Sequence, residues 1–235
     1  MYPMPSSGIP LRASLSAAMS LALAACASTP ATATQERLLR TQALALLQGL
    51  NADLLSHDSA TLTLERWCAA HRLAEPARIV ARRVPGAHKP IPLELRTRLA
   101  VADDEPLGYR RVQLMCGERV LSEADNWYVP GRLTADMNRR LDGTDEPFGK
   151  VVRALDFQRR TLAAQLLWSP LPAGWEMAPA SVDTVPLRIP PALLRHEAVL
   201  YTGSQQPFSV VVETYTNRVL DFGPWRAYLA ADPLP

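Results

Sequence analysis

The sequence lacks any marked excess of one charge. Its 235 residues hold 25 lysines and arginines against 23 aspartates and glutamates, a formal net charge of +2. Nothing in that balance points to nucleic acid as a partner. Cysteine is scarce too, at three residues, too few for the disulfide framework that holds small secreted domains together. The four histidines, at positions 57, 71, 88 and 196, stand in separate contexts. Only Cys68 and His71 lie one helical turn apart, and a structural zinc needs four ligands, so neither metal nor cofactor is expected. Glycine is outnumbered by proline, eleven to twenty-one, and the prolines cluster at 85–92, 170–179 and 186–191, where loops are expected. No internal repeat is found, and no apolar run is long enough to span a bilayer as a helix.

What is present is enough apolar residue, 48% of the chain, to bury one ordinary globular core. The first 25 residues read differently, as a targeting segment. "MYPMPSSGIPLR" supplies one arginine, "ASLSAAMSLALAA" is a short apolar run, and "LAAC" at 23–26 is a small-residue cleavage site ending in cysteine. This pattern resembles a bacterial lipoprotein signal. The resemblance implies cleavage before Cys26, lipidation of that thiol, and a polar tether over 26–34. With Ala27 and Ser28 following, it also implies a cell-envelope address, on the outer membrane facing the periplasm. Membrane contact is then expected through the lipid alone. Cys68 and Cys116 are left; an oxidising compartment permits a bridge, but the preferred reading is two small buried hydrophobes.

Periodicity organises the rest. Apolar residues recur at three and four over about 35–55, with Thr32 or Thr34 available as cap, which predicts a helix; a second is predicted from Ser59 or Thr61. "VPGAHKPIP" is a loop, and "ELRTRLAV" reads as a strand. "YRRVQLMC" and "VLSEADNWYVP" form a hairpin turning at "GER". Thr134 and Gly143 bound a third helix, Pro147 opens a fourth, and "EAVLYTGSQQPFSVVVETYT" closes as a second hairpin. Helices and hairpins in that order predict an α+β fold on an antiparallel sheet. The domain is expected over 35–225, with a short tail over 226–235, as a monomer.

Strand alternation puts Arg111, Gln113 and Met115 on one side and Val112, Leu114 and Cys116 on the other, with Arg110 opposite Arg111. In the last strand Val211, Glu213 and Tyr215 share a side. A carboxylate in so apolar a strand is costly unless a cation meets it, and Arg111 is the candidate. A structural Arg–Glu pair or simple exposure on a solvated face is the plainer alternative.

Several segments resemble the chorismate pyruvate-lyase family. They are "LLSHDSAT" at 54–61, "YRRVQLMC", "WYVPGRL", "DEPFG" and "VVETYT". The resemblance implies a six-stranded antiparallel sheet with helices packed at one side. It also implies elimination of pyruvate from chorismate or a related cyclic enol ether to give 4-hydroxybenzoate. It assigns the carboxylate-binding arginine to Arg111 and the active-site carboxylate to Glu213. Backbone N–H groups at Ala60 and Phe148 would complete the cradle, and Asn126 stands where the family has a second arginine. Glu123 and Asp125 flank that position, either as edge charges or as pocket groups that would repel a dianion. The fold is similar as well to the effector-binding domains of certain transcription regulators, which bind small molecules without converting them. Two readings stand: a lyase using Arg111 and Glu213, or a non-catalytic lipoprotein that binds a small aromatic or other monocarboxylate in the same pocket.

Overall fold

The computed structural model describes Met1 and residues 30–177 and 186–231. The stretch expected as a signal, from residue 2 on, and Cys26 lie outside the described residues.

Helix α1 (Pro30–Leu55) begins within the stretch expected as tether and buries Ala43, Leu47, Leu50 and Leu54, a three-and-four stripe that faces the sheet. Helix α2 (Ala60–Ala70) follows after a short turn, capped by Ser59, whose side chain accepts from the Leu62 N–H. Strand β1 (Ile79–Arg83) comes next, an element that the sequence reading did not foresee. Residues 94–101, expected as a strand, instead contain helix α3 (Leu93–Arg98). Pro92 sits at its N-cap, and Leu95 and Leu99, four apart, are both buried. That spacing suits a helix face, and burying two leucines contributes about 1.5–3 kcal/mol each.

Strands β2 (Gly108–Cys116) and β3 (Arg119–Tyr128) make the expected hairpin, turning at Gly117 with φ +56°, a conformation that favours glycine. Helix α4 (Ala135–Gly143) is capped by Thr134, which accepts from Met137 N–H, and the single turn α5 (Phe148–Val151) runs into a 3-10 turn over Val152–Leu155. Strand β4 (Gln158–Leu166) is the second unforeseen element; most of its residues are exposed, so its sequence carries no clean alternation. Strands β5 (Ala192–Tyr201) and β6 (Pro207–Thr216) form the last hairpin.

All six strands join one antiparallel sheet in the order β1-β2-β3-β6-β5-β4. Helices α1, α2, α4 and α5 pack at one side of it, as the fold class anticipates. Helix α3 covers part of the other face, where Leu95 and Leu99 meet Trp127, Val199, Val210 and Val212. In the stretch expected as a C-terminal tail, the described residues 226–231 pack back on the domain: Ile189 N–H donates to Tyr228 O and Ala230 N–H to Ile189 O, each at 2.8 Å.

Cys68 and Cys116 are bridged, with their Cα atoms 6.4 Å apart. The reading as two unbridged hydrophobes is corrected here. Both are fully buried, so composition looks the same either way, and only the docking of α2 on the end of β2 brings the thiols together.

Candidate functional site

On the helix-covered face of the sheet lies a cleft. About 50 Å³ of it is open to the centre of a water-sized sphere, within about 520 Å³ of empty space that includes the mouth. Its floor is sheet: Val112 and Leu114 from β2, Ala124 and Asn126 from β3, Val211 and Glu213 from β6, Leu200 from β5. Its roof is helix: the start of α2 at Ser59, Ala60 and Thr61, and the start of α5 at Phe148 and Gly149, with Phe157 beside them. The two helix starts approach so closely that a Cβ on Gly149 would lie 3.1 Å from Ser59 Oγ. Their first N–H groups have no acceptor within their own helix.

Arg110, and not Arg111, supplies the cation of β2. Arg110 pairs across the sheet with Asn126, which in turn pairs with Val211, and all three line the cleft. The residue is 6% exposed, and its guanidinium donates to the backbone carbonyls of Thr144 and Glu146, three bonds of 3.1 Å. Nε is buried with no partner, and no carboxylate reaches the group within ion-pair distance among the described residues. Burial, and then the nearby Arg83, lower the Arg110 pKa, although a guanidinium stays charged at neutral pH. A buried cation held by neutral carbonyls is an electrostatic socket for an anion.

Arg111 points the other way. Its Nη2 lies 3.0 Å from Glu123 and its Nη1 3.4 Å from Asp125, and its side chain is 38% exposed. Asp125 is also met by Lys89 Nζ and the Tyr109 hydroxyl, each at 2.7 Å. Burial alone would raise the Asp125 pKa, but these donors hold it below the ordinary carboxylate value. Burial, and then the same carboxylate, push the Tyr109 hydroxyl up to about 12. The expectation that Arg111 meets Glu213 in one pocket is therefore corrected: Arg111, Glu123 and Asp125 lie together outside the cleft that Glu213 lines. The alternation already held the answer. Arg110 shares its face with Val112, Leu114 and Cys116, the wholly apolar side, and that side is the one helices cover.

Glu213 does line the cleft, 6% exposed. Its cation is Arg159 from β4: Nη2 lies 2.7 Å from Oε2, with side chains 4% and 7% exposed. The Tyr215 hydroxyl donates to the same Oε2 at 3.1 Å. Both donors use Oε2, which leaves Oε1 without a hydrogen bond among the described residues. Arg159 Nε is likewise buried and unpartnered. Burial alone would lower the Arg159 pKa, but the Glu213 carboxylate more than reverses this and raises it. Burial, and then Glu213, push Tyr215 well above its usual value. Across the strand from Glu213, His196 is fully buried, its Nε2 2.9 Å from Asn51 Oδ1, and burial together with Arg159 lowers its pKa to about 4. It is a neutral imidazole at pH 7.

Ala60, Phe148 and Asn126 thus line one cleft with Glu213, and Arg111 does not. Arg159 was missed, since "QRRTL" lies in a strand without alternation and nothing local marks which arginine turns inward. No group of three or more His, Cys, Asp or Glu side chains is placed to hold a metal ion among the described residues.

No protein-family model matches the chain. Among solved structures, PhnF from Mycobacterium smegmatis is similar at a TM-score of 0.44 and 11% identity, over 75% of this chain and 69% of that one. The effector domain of the same PhnF gives 0.43 and 12%, over 76% and 96%. The ligand-binding domain of a putative GntR-family transcriptional regulator from Bordetella bronchiseptica gives 0.38 and 20%, over 59% and 82%. Scores at this level carry no functional weight. The uncharacterized protein y4mC of Sinorhizobium fredii (strain NBRC 101917 / NGR234) is 58% identical over 187 residues, 78% of each chain. The chain belongs to the same protein family as y4mC.

Proposed function

We propose that this protein is a receptor for a small monocarboxylate, bound in the cleft with its carboxylate on Arg110. The observation that carries this reading is a buried guanidinium that lines the cleft, has no carboxylate partner among the described residues, and leaves Nε unused. Burying such a charge is costly unless something neutralises it, and a ligand carboxylate does so by its opposite charge. The backbone N–H groups of Ala60 and Phe148 supply further donors from the roof, and the apolar floor takes the ligand's body.

Charge favours a monoanion over a dianion. Arg110 and Arg159 bring two positive charges, Glu213 removes one and Asn126 adds none, so the buried groups sum to +1, and the exposed Asp58 at the edge of the same lining brings the whole to zero, which leaves nothing for a second carboxylate. Size points the same way, because 50 Å³ on this measure is about a third of the cavity that holds a benzene ring. A small acid fits directly, while an aromatic acid must use the mouth. The lyase reading keeps Glu213 in the cleft as its working carboxylate, but it must hold a dianionic substrate with a single net buried charge.

Two measurements separate the readings. The chain from residue 27 onward is incubated with chorismate and pyruvate release is followed by a coupled assay. The same protein is titrated calorimetrically with a panel of C2–C8 monocarboxylates that includes 4-hydroxybenzoate. Saturable binding without pyruvate supports the receptor; pyruvate released in an Arg110-dependent way replaces it with the lyase.

The cell-envelope address belongs to the same proposal, with Cys26 lipidated and the domain outside the inner membrane. The Cys68–Cys116 bridge supports it, since such bonds persist in oxidising compartments. Metabolic labelling with a radiolabelled fatty acid, lost on Cys26→Ser, is the expected result.

A further inference from the structure

The sheet has a second face, and helix α3 covers only part of it. On that face lies a groove with about 220 Å³ open to the centre of a water-sized sphere, against about 50 Å³ in the cleft. Strand alternation turns Arg111, Glu123, Asp125, Thr214 and Arg195 toward it. Register sets three of them in one row: Glu123 on β3 pairs with Thr214 on β6, and Thr214 pairs with Arg195 on β5. Two strand spacings, roughly 10 Å, separate the backbones of the glutamate and the arginine. A carboxylate, a hydroxyl and a guanidinium thus stand side by side across the strands. Each end of the row has a partner of its own, Arg111 at 3.0 Å from Glu123 and Glu197 at 2.6 Å from Arg195. Lys89 and Asp125, 2.7 Å apart, complete the charges of the lining. With Glu197 counted, three cations and three carboxylates sum to zero.

Independently of the monocarboxylate reading, we propose that this groove is a second ligand site and that it takes a short zwitterion, an amino acid whose ammonium meets Glu123 and whose carboxylate meets Arg195 above Thr214. A groove of zero net charge draws neither a simple anion nor a simple cation. Its ordered row from minus to plus is a fixed dipole, and a ligand of the opposite dipole is attracted at both ends. A plain acid gains at Arg195 but is repelled by Glu123, and a plain amine meets the reverse. Both anchors have capacity left. Each oxygen of Glu123 has one donor, Gln113 Nε2 at 2.9 Å and Arg111 Nη2 at 3.0 Å, so about half of the carboxylate's acceptor sites stay open. The guanidinium of Arg195 has N–H donors beyond the one that faces Glu197. With side chains 38% and 41% exposed, neither group gives up much hydration when a ligand arrives. The cleft would refuse the same ligand, because its apolar floor and Arg110 disfavour an ammonium. The two faces of one sheet then sort small acids by whether they carry an amino group.

The test is a titration of the wild-type chain at low salt with glycine, β-alanine and γ-aminobutyrate, followed by backbone amide shifts in nuclear magnetic resonance. Each amino acid is matched by the acid and the amine that lack one of its charges; for γ-aminobutyrate these are butyrate and propylamine. At least one amino acid is expected to give saturable shifts centred on Thr214 and Arg195, and to bind there about fivefold or more tightly than either of its counterparts. Glu123→Gln and Arg195→Gln, both at exposed positions, are each expected to weaken it by about fivefold, while Arg110→Gln leaves it unchanged. The proposal is overturned if none of the three amino acids saturates, if the acid or amine alone binds the groove as well, or if Arg110→Gln abolishes the binding. None of these results touches the monocarboxylate reading, which is judged by the dependence of the cleft on Arg110.

Discussion

Arg159 and Glu213 form a buried ion pair of 2.7 Å between β4 and β6, strands with β5 between them, so the arginine's side chain reaches across β5 to meet the carboxylate. With both side chains under a tenth exposed, neither charge has water to fall back on. Removing one partner strands the other, and Arg159→Leu or Glu213→Leu alone is expected to cost about 3–5 kcal/mol in urea unfolding. The double variant Arg159→Leu/Glu213→Leu is expected to cost less than either single change. Additive losses in that cycle would mean that the two groups do not interact.

The Cys68–Cys116 bridge closes a loop with a sequence separation of 48. Loop entropy then assigns it about 4 kcal/mol, acting through the unfolded chain. A Cys68→Ala/Cys116→Ala variant is expected to unfold at lower urea by about that amount, with its far-ultraviolet circular dichroism unchanged. Equal stability of the variant and the oxidised wild type would show that the bond constrains nothing.

His196 makes a prediction in pH. Its folded pKa of about 4 lies below the ordinary 6.5, so between those values the unfolded chain binds a proton that the folded one refuses. Stability from this group is therefore fully present above pH 6.5 and is lost as the pH falls toward 4, by up to about 3 kcal/mol. Chemical denaturation at half-unit steps is expected to show that slope in wild type and a shallower one in His196→Gln. The same slope in both would assign the effect to other groups.

Most of the fold is legible in the amino-acid sequence, because α1, α2, α4 and the two hairpins carry clean periods and caps such as Ser59 and Thr134. The elements that escape are those whose local pattern misleads. Residues 94–101 alternate like a strand, yet Leu95 and Leu99 face the sheet as a helix. Strand β4 is largely exposed and lacks a buried side to reveal its period. At the site, Glu213 announces itself by standing in an apolar run, and Ala60, Phe148 and Asn126 follow from the resemblance. The arginines do not, for a definite reason. In "YRR" two neighbours compete for one face, and the resemblance picks the residue whose side of the strand also carries Gln113, while alternation favours the one in line with Val112 and Leu114. Where a motif and the pleat disagree by one residue, the pleat decides.

The central claim is that Arg110, and not its neighbour, holds the ligand. The direct measurement is calorimetric titration of Arg110→Gln and Arg111→Gln with whichever monocarboxylate of the panel binds wild type most tightly. Loss of the buried cation is expected to weaken binding by about thirtyfold or more in Arg110→Gln. Arg111→Gln, which removes a half-exposed pair on the far face, is expected to bind as wild type does and to lose about 1 kcal/mol of stability or less. Binding that survives in Arg110→Gln and fails in Arg111→Gln would contradict the account.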